Sequence, residues 1–229
     1  MRNIVFLPGL NCTGDLFYPQ IQALTPFARC FVADHGTADN LPDLAAHILK
    51  SMPERFALVG LSMGGYIAYE MLRQQPERVT QLVLMDTRAT VDSVEDKDRR
   101  LKTIALAQNG QFERLHGILW PLLVHPSRQD DSQLETVVKT MMRDTGPDKF
   151  ISQQTAVMNR TDYRHLLQAL LVKTLVIVGA QDAITPPESA RLLCRMVAGS
   201  AYLEIPDCGH LSSLEKPDIV SATLRDFLL

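Results

Sequence analysis

The 229-residue chain lacks the features that mark membrane proteins and nucleic-acid-binding proteins. No apolar segment approaches the length of a membrane span, so the sequence predicts no membrane-spanning helix. There are 23 Lys and Arg residues against 26 Asp and Glu, a net charge of -3, and the two signs are mixed along the chain. This pattern leaves no basic face for nucleic acid. The longest charged run, residues 95–100, is balanced in sign and is typical of a solvated helix face.

Cysteine is scarce, and its spacing excludes the common cysteine-based sites. No two cysteines are spaced as Cys-x-x-Cys, and no histidines cluster near them as in a zinc site. We therefore expect free thiols. Two of the four lie near motifs described below, but a buried cysteine is usually a small apolar side chain, and we assign none of them a chemical role. The four cysteines are at positions 12, 30, 194 and 208.

The N-terminal segment is too short in apolar residues for the core of a signal peptide. One arginine is followed by four apolar residues before Pro8, and the expectation is a soluble, cytoplasmic protein. The chain length lies within the range of one α/β domain, and a hydrophobic content of 46% is enough for a sizeable core.

The most informative motif is Gly-Leu-Ser-Met-Gly at residues 60–64. Residues 56–59 before it are continuously apolar, as in a buried parallel strand, and apolar residues after it recur at helical spacing until Pro76. A serine on such a strand-to-helix turn adopts a strained backbone that exposes its hydroxyl, and its neighbours must be small. The motif glycines and Gly65 meet that need. Chance matches occur in glycine-bearing loops, but the flanking strand and helix favour Ser62 as a nucleophile.

A serine hydroxyl needs a histidine base and an orienting carboxylate, which follow it along the chain in this arrangement. Residues 175–178 predict a buried strand, and Asp182 follows its end. Thr-Pro-Pro-Glu at residues 185–188 predicts a capping box that begins a helix. Residues 201–205 predict the last strand, and His210 lies in the loop after it. Because parallel strands end at one edge of a sheet, both side chains are expected there.

Other residues compete for both roles. Asp86 ends a strand predicted at residues 81–85 and is an alternative acid, although Asp182 is favoured. Only His210 combines a strand end, a glycine hinge and a position after the acid, so it is the favoured base. The five other histidines are predicted in helices or in the loop after the second strand: His35, His47, His116, His125 and His165.

Three motifs together resemble the α/β-hydrolase superfamily, in its serine-nucleophile, carboxylesterase-like branch with a helical lid. They are Gly-Leu-Ser-Met-Gly-Gly at residues 60–65, Gly-Ala-Gln-Asp at 179–182 and Asp-Cys-Gly-His at 207–210. The resemblance extends over nearly the whole chain. It implies an α/β fold with a mostly parallel sheet of about six strands flanked by helices. The two antiparallel strands that usually open the family's sheet are not expected here.

The resemblance also implies an oxyanion hole. The strand predicted at residues 3–7 leads into Pro8-Gly9-Leu10, which is similar to the family's His-Gly-x loop. By that correspondence the backbone N–H groups of Leu10 and Met63 stabilise the oxyanion, and the helix after Ser62 points its positive end at the same place. Pro8 stands where the family usually has histidine. This departure bears on hydrogen bonding within the loop and not on the N–H group itself.

Residues 88–164 interrupt the alternation of strands and helices, because they predict helices only. We therefore expect a hydrolase core of residues 1–87 and 165–229 and a helical lid of residues 88–164. The lid has two apolar stripes at helical spacing, within residues 112–119 and 134–142. It carries 12 Lys and Arg against 11 Asp and Glu, too even a balance to indicate an acidic carrier protein as partner.

Four residues of the lid segment are candidates for binding substrate. In the resembling families the inner surface of such an insertion sets substrate size, so Trp120, Met141 and Met142 are candidates for lining an acyl pocket. Packing of the lid on the core is the alternative for each. Arg88 is a candidate for binding a substrate carboxylate, although anchoring the lid to the core is the favoured role. The same two roles are open for Arg160, and anchoring is favoured for it as well.

The assignment predicts a hydrolase that cleaves carboxylic esters of small, largely apolar acyl substrates. Ser62 attacks the carbonyl, His210 takes its proton, Asp182 orients the imidazole, and water then releases the acid from an acyl-serine. No metal or organic cofactor is implied, and the expected partner is a small-molecule ester. Thioesterase, enol-lactonase and carbon-carbon hydrolase chemistry stay open, as does a non-catalytic ligand receptor. A serine at this position argues against dehalogenases and epoxide hydrolases. The sequence gives no indication of oligomeric state.

Overall fold

The computed structural model describes all 229 residues and has a single sheet of six parallel strands at its centre. The strand order is β2-β1-β3-β4-β5-β6, and every neighbouring pair is parallel. The predicted α/β architecture with a minimal six-stranded sheet is confirmed. The strands are β1 (Arg2–Leu7), β2 (Ala28–Val32), β3 (Phe56–Leu61), β4 (Val79–Met85), β5 (Lys173–Gly179) and β6 (Ala201–Ile205).

Helices connect the strands and cover both faces of the sheet. Three short 3₁₀ turns, at Gly14–Phe17, Pro76–Arg78 and Pro126–Arg128, supplement them. None of the helices combines the length and apolar character needed to cross a membrane. The helices are α1 (Tyr18–Leu24), α2 (Leu41–Ser51), α3 (Met63–Gln74), α4 (Val94–Gln108), α5 (Arg114–Leu123), α6 (Ser132–Met158), α7 (Arg164–Gln168), α8 (Pro187–Met196), α9 (Ser212–Glu215) and α10 (Pro217–Leu228).

The core forms two apolar layers, one on each face of the sheet. Successive side chains of a strand point to opposite faces, so in β1 Val5 and Leu7 join one layer while Ile4 and Phe6 join the other. The first layer is completed by α2, α3 and α8, and the second by α1 and α10. The four central strands are almost continuously buried because both of their faces are covered.

Residues 88–164 contain no strand and form α4, α5 and α6 between β4 and β5. α6 bends at Gly146, which has a φ of 73° and precedes Pro147. The bend divides α6 into two helical arms. The short α7 then leads into β5 and buries Leu167 in the core. We call residues 88–164 the helical insertion.

Candidate active site

Ser62 lies on a sharp turn between β3 and α3, and its backbone has φ 54° and ψ -113°. Its N–H donates to Met85 O at 2.9 Å, and its carbonyl accepts the Thr87 hydroxyl at 2.8 Å. The glycines around it are required by close backbone approach, since a Cβ on Gly64 would lie 1.9 Å from Leu7 O. The turn therefore has the strained conformation predicted from the sequence.

His210 and Asp182 meet at the edge where β5 and β6 end. His210 Nδ1 lies 2.8 Å from Asp182 Oδ2, and both side chains are buried. The other carboxylate oxygen, Asp182 Oδ1, accepts the backbone N–H groups of Ile184 at 2.8 Å and Thr185 at 2.9 Å. The carboxylate is therefore held in one orientation towards the imidazole.

The two groups shift each other's pKa. Burial opposes the charged form of each, but the charge of His210 and its hydrogen bond prevail and lower the pKa of Asp182. Burial likewise lowers the pKa of His210, but the Asp182 carboxylate outweighs it and raises that pKa above its ordinary value. The pair is thus suited to an imidazole that accepts a proton while the acid stays ionised.

Ser62 and His210 line one cavity of about 540 Å³. No hydrogen bond joins the Ser62 hydroxyl to the imidazole in this structure, and such bonds are often long before a substrate binds. Leu10 and Met63 also line the cavity. The Leu10 N–H donates to no other backbone group, and the N–H of Met63, the first residue of α3, has no acceptor within its helix.

The loop that contains Leu10 is fixed from the helical insertion. The N–H of Asn11, which has a φ of 61°, donates to Gln153 Oε1 of α6 at 2.8 Å. Within the loop, the N–H of Cys12 donates to Gly9 O at 3.3 Å. These contacts hold the loop in place. Its Pro8 stands where the α/β-hydrolase superfamily usually has histidine.

Comparison with known families decides the classification. The sequence model of the alpha/beta hydrolase fold family matches residues 43–217, a span that contains Ser62, Asp182 and His210. The chain belongs to this family.

Relatives of this α/β hydrolase carry several activity names. The Mycobacterium tuberculosis protein BpoC, named as a non-heme bromoperoxidase, is 28% identical over 98% of the chain and 92% of its own length. A pimeloyl-[acyl-carrier protein] methyl ester esterase of Neisseria meningitidis is 26% identical over 100% of the chain and 93% of its own length. Among solved structures, a thermophilic esterase from Thermogutta terrifontis superposes with a TM-score of 0.89 at 25% identity, covering 100% of this chain and 89% of that chain.

Asp86, the alternative acid, forms hydrogen bonds with groups other than the imidazole of His210. Its Oδ1 accepts the N–H of Gly179 at 2.9 Å, and its Oδ2 accepts the hydroxyl of Ser212. Complete burial, with the negative charge of Asp182 added, raises the pKa of Asp86 to about 8. The carboxyl that bonds His210 is that of Asp182, and Asp86 instead joins the end of β5 to α9.

The predicted capping box at residues 185–188 is wrong. α8 begins at Pro187 with Pro186 as its N-cap, and no side chain caps it. The Thr185 hydroxyl is instead 2.7 Å from Asp182 Oδ2 and 3.3 Å from His210 Nδ1. Thr185 can use its side chain either to bond the buried carboxylate or to cap the helix. The bond to the carboxylate is charge-assisted and therefore stronger than a capping bond with a neutral backbone N–H. Thr185 is therefore a member of the site that sequence reasoning had assigned to a helix cap.

Glu215 is a second member of the site that sequence reasoning missed. It is buried at the end of α9, and its Oε1 accepts the backbone N–H groups on both sides of His210, those of Gly209 at 3.0 Å and Leu211 at 3.3 Å. No local pattern marks this role, since an acid before Lys216 at a helix end is usually exposed.

Two of the four predicted substrate-binding residues line the cavity, namely Arg88 and Met142. Trp120 and Met141 do not, and their placement in an acyl pocket is corrected by the structure. Met141 points about 100° around α6 from Met142 and is buried in the apolar layer of the sheet. The indole N–H of Trp120 donates to Gln129 O at 3.0 Å, a partner that this buried group requires.

Arg88 takes part in an ion-pair network centred on Asp92. Its guanidinium contacts Asp92 Oδ1 at 2.6 Å and Asp96 Oδ2 at 2.9 Å. Arg100 and the fully buried Arg160 also pair with Asp92, at 2.6 and 2.7 Å. Burial by itself would raise the pKa of Asp92, but the hydrogen bonds and charges of Arg100 and Arg160 outweigh burial and lower that pKa to about 2. Arg160 also donates to Thr90 O, so its position fits the anchoring role favoured from the sequence.

The other five histidines lie apart from the Ser62 turn, with one exception. His116 lines the same cavity and is 2.9 Å from Glu135 Oε1, but it belongs to α5 in the helical insertion and stacks on Trp120. His35 is buried beside Gln153, and burial lowers its pKa to about 4. Neither forms a hydrogen bond with Ser62 or Asp182, whereas His210 bonds Asp182.

Proposed function

We propose that this α/β hydrolase cleaves carboxylic esters of small, largely apolar acyl substrates, with Ser62 as nucleophile, His210 as base and Asp182 as the orienting acid. The observation that carries the proposal is the 2.8 Å contact between His210 Nδ1 and Asp182 Oδ2 beside a strained serine in the same cavity. That arrangement supplies a base and its orienting acid in the cavity that Ser62 also lines.

The reaction follows from these positions. His210 takes the proton of Ser62 as the hydroxyl oxygen attacks the ester carbonyl, and Asp182 keeps the Nδ1 proton of the imidazole in place. The N–H groups of Leu10 and Met63 stabilise the negative oxygen of the tetrahedral intermediate. The imidazolium then gives its proton to the leaving alcohol, which leaves an acyl-serine. Water then attacks the acyl-serine as it gives a proton to the same imidazole, and the imidazolium returns that proton to the Ser62 oxygen as the carboxylic acid is released.

The walls of the cavity support the choice of an apolar acyl group. Leu119, Leu122 and Leu123 of α5 and Met142 of α6 line it together with Leu211, next to His210. A volume of about 540 Å³ lies within the ordinary range for small-molecule sites. Because α4, α5 and α6 all contribute, we propose that the helical insertion acts as the lid over Ser62. The methyl ester esterase among the relatives supports ester chemistry with a small alcohol as leaving group.

The test is hydrolysis of p-nitrophenyl esters of increasing acyl length by the parent protein and by Ser62→Ala at neutral pH. We expect a chain-length optimum in the parent and a loss of about 10⁴-fold or more in kcat for Ser62→Ala, since a triad without its nucleophile retains little activity. Ser189→Ala on α8, outside the cavity, is the matched control and should keep the parent rate.

Two results would contradict the proposal. Equal turnover by Ser62→Ala and the parent would show that Ser62 is not the nucleophile. No turnover of any ester by a folded parent protein would favour the non-catalytic receptor, which uses the same cavity to bind a ligand without cleaving it.

A further inference from the structure

One wall of the cavity is charged, although most of the lining residues are apolar. The face of α4 that lines the cavity presents Asp96, Arg99, Arg100 and Lys102, and Arg88 precedes this helix. On α5 the lining residues are leucines and Ile118, together with His116. A substrate in this cavity therefore meets apolar groups on one side and a group of cations on the other.

The charges on and behind this wall do not cancel. Asp92, Asp96 and Asp98 are the three carboxylates paired with its cations. Interactions with arginines lower the pKa of Asp92 to about 2 and also lower that of Asp96, so both stay ionised at neutral pH. Glu95 of α4, which interacts with Arg99, adds a fourth carboxylate, so five cations against four carboxylates leave a net charge of +1. The five cations are Arg88, Arg99, Arg100, Lys102 and Arg160.

The inner and outer cations differ in what holds them. Arg88 and Arg100 are 17% and 19% exposed and are tied to Asp92, so they are fixed in position. Arg88 Nε is also buried without a hydrogen-bond partner, so one donor of this guanidinium is unused. Arg99 and Lys102 are 69% and 73% exposed and reach the mouth of the cavity.

We propose that this wall binds an anionic group of the substrate, a carboxylate or a phosphate-type group, at a distance along the acyl chain from the scissile ester. The excess positive charge, the unused donor and the adjoining apolar walls together fit a ligand that is apolar along its length and anionic at one end. Anchoring of the helical insertion accounts for Arg160 and Asp92. It does not account for Arg99 and Lys102, whose ion pairs are with Asp96 and Asp98 of the same helix.

This inference deepens the proposed function and rests on it for the position of the ester. Three ligands of matched chain length test it: dimethyl glutarate, which is neutral, monomethyl glutarate, which carries a carboxylate, and methyl 4-phosphonobutyrate, which carries a phosphonate. Their binding is measured by calorimetry on Ser62→Ala, which cannot form an acyl-serine, so that affinity is separated from turnover.

The expected result is about tenfold tighter binding of at least one anionic ligand than of dimethyl glutarate, with the advantage decreasing as salt is raised. The better of the two anions identifies the group that the site accepts. In the background of Ser62→Ala, the double change Arg99→Gln with Lys102→Gln should reduce that advantage by about fivefold to tenfold. Lys97→Gln, an exposed cation of α4 outside the cavity, is the matched control and should leave it unchanged.

The inference and the proposed function fail in different ways. Equal affinity for the neutral and the anionic ligands would overturn the anion site, whatever the turnover of esters. Preferential binding of an anionic ligand without any Ser62-dependent hydrolysis would retain the anion site and overturn the proposed function. Both Arg99 and Lys102 are exposed, so the variants are expected to fold, and a thermal unfolding midpoint equal to that of Ser62→Ala confirms it.

Discussion

The carboxylate of Glu215 accepts the backbone N–H of His125 at 2.7 Å. With its other oxygen on the N–H groups of Gly209 and Leu211, this one buried side chain joins the His210 loop to the segment after α5. Leu123 O reinforces the joint, because it accepts the N–H groups of His210 and Leu211 at 3.0 and 3.1 Å. The position of the imidazole therefore depends on the helical insertion as well as on the sheet.

Glu215→Gln should lower both activity and stability. An amide has one acceptor oxygen instead of two, so its NH₂ group would face a backbone N–H, and an unsatisfied buried donor costs about 1 to 3 kcal/mol. We expect kcat for a p-nitrophenyl ester to fall about tenfold or more, and the midpoint of thermal unfolding to fall by several degrees. Glu188→Gln, an exposed acid on α8, is the control. Parent values of both quantities in Glu215→Gln would show that the joint is dispensable.

Asp182→Asn should reduce kcat far more than Asp86→Asn does. Only Asp182 bonds the imidazole, and an amide there no longer holds the required tautomer, a loss of about 10³-fold or more in a triad. In Asp86→Asn the amide can still accept from Gly179 and can donate to the Ser212 hydroxyl, so a change within about tenfold is expected. Steady-state kinetics on the same ester decides it, and the opposite ranking would assign the orienting role to Asp86.

The acid limb of kcat/KM should lie above pH 6.5. The Asp182 carboxylate raises the pKa of His210, and the protonated imidazole cannot accept the Ser62 proton, so activity falls as pH is lowered through that raised pKa. In Asp182→Asn the carboxylate that raises the pKa of His210 is gone. The acid limb of kcat/KM for the residual activity should therefore move to lower pH. A limb at the same pH in both proteins would show that another group controls it.

Asp86→Asn should stabilise the protein increasingly as pH rises from about 4 to 8. Burial raises the pKa of Asp86 to about 8, so over this interval the folded state keeps a proton that the unfolded state has lost. Stability of the parent therefore decreases with rising pH, and the asparagine variant lacks this decrease. At about 1.4 kcal/mol per pKa unit, the gain at pH 8 relative to pH 4 is at most about 5 kcal/mol. Urea unfolding at both pH values measures it, and parallel curves would contradict the raised pKa.

Gly64→Ala and Gly117→Ala should change stability in opposite directions. A Cβ on Gly64 would lie 1.9 Å from Leu7 O, so β1 or α3 must move, and the free energy of unfolding should fall by about 3 kcal/mol or more. A Cβ on Gly117, within α5, meets nothing within 4 Å, and alanine there should add about 0.5 to 1 kcal/mol. Denaturant unfolding of the pair checks this. A stable Gly64→Ala protein would show that the turn after Ser62 has room to relax.

Five of the six strands, all but β2, were placed from the sequence because each is a short apolar run bounded by turn residues. The predicted strand at residues 201–205 coincides with β6, and that at residues 56–59 lies within the longer β3. The fold then brings Ser62, Asp182 and His210 to one edge, since all strands are parallel and end there. Their local motifs were sufficient to nominate them, because strand, turn and helix signals are set by neighbours along the chain.

The sequence by itself thus determined the fold class and nominated the three residues of the proposed triad. Only the tertiary structure decided which residues surround them. Thr185 contacts the Asp182 carboxylate instead of capping α8, and Glu215 reaches a segment 90 residues away. Met141 packs in a layer on the sheet, whereas Met142 packs in a small cluster within the helical insertion. The excess positive charge at the cavity wall is likewise not visible in the even charge balance of residues 88–164. These relationships depend on distance in space between groups far apart in sequence, which no local pattern records.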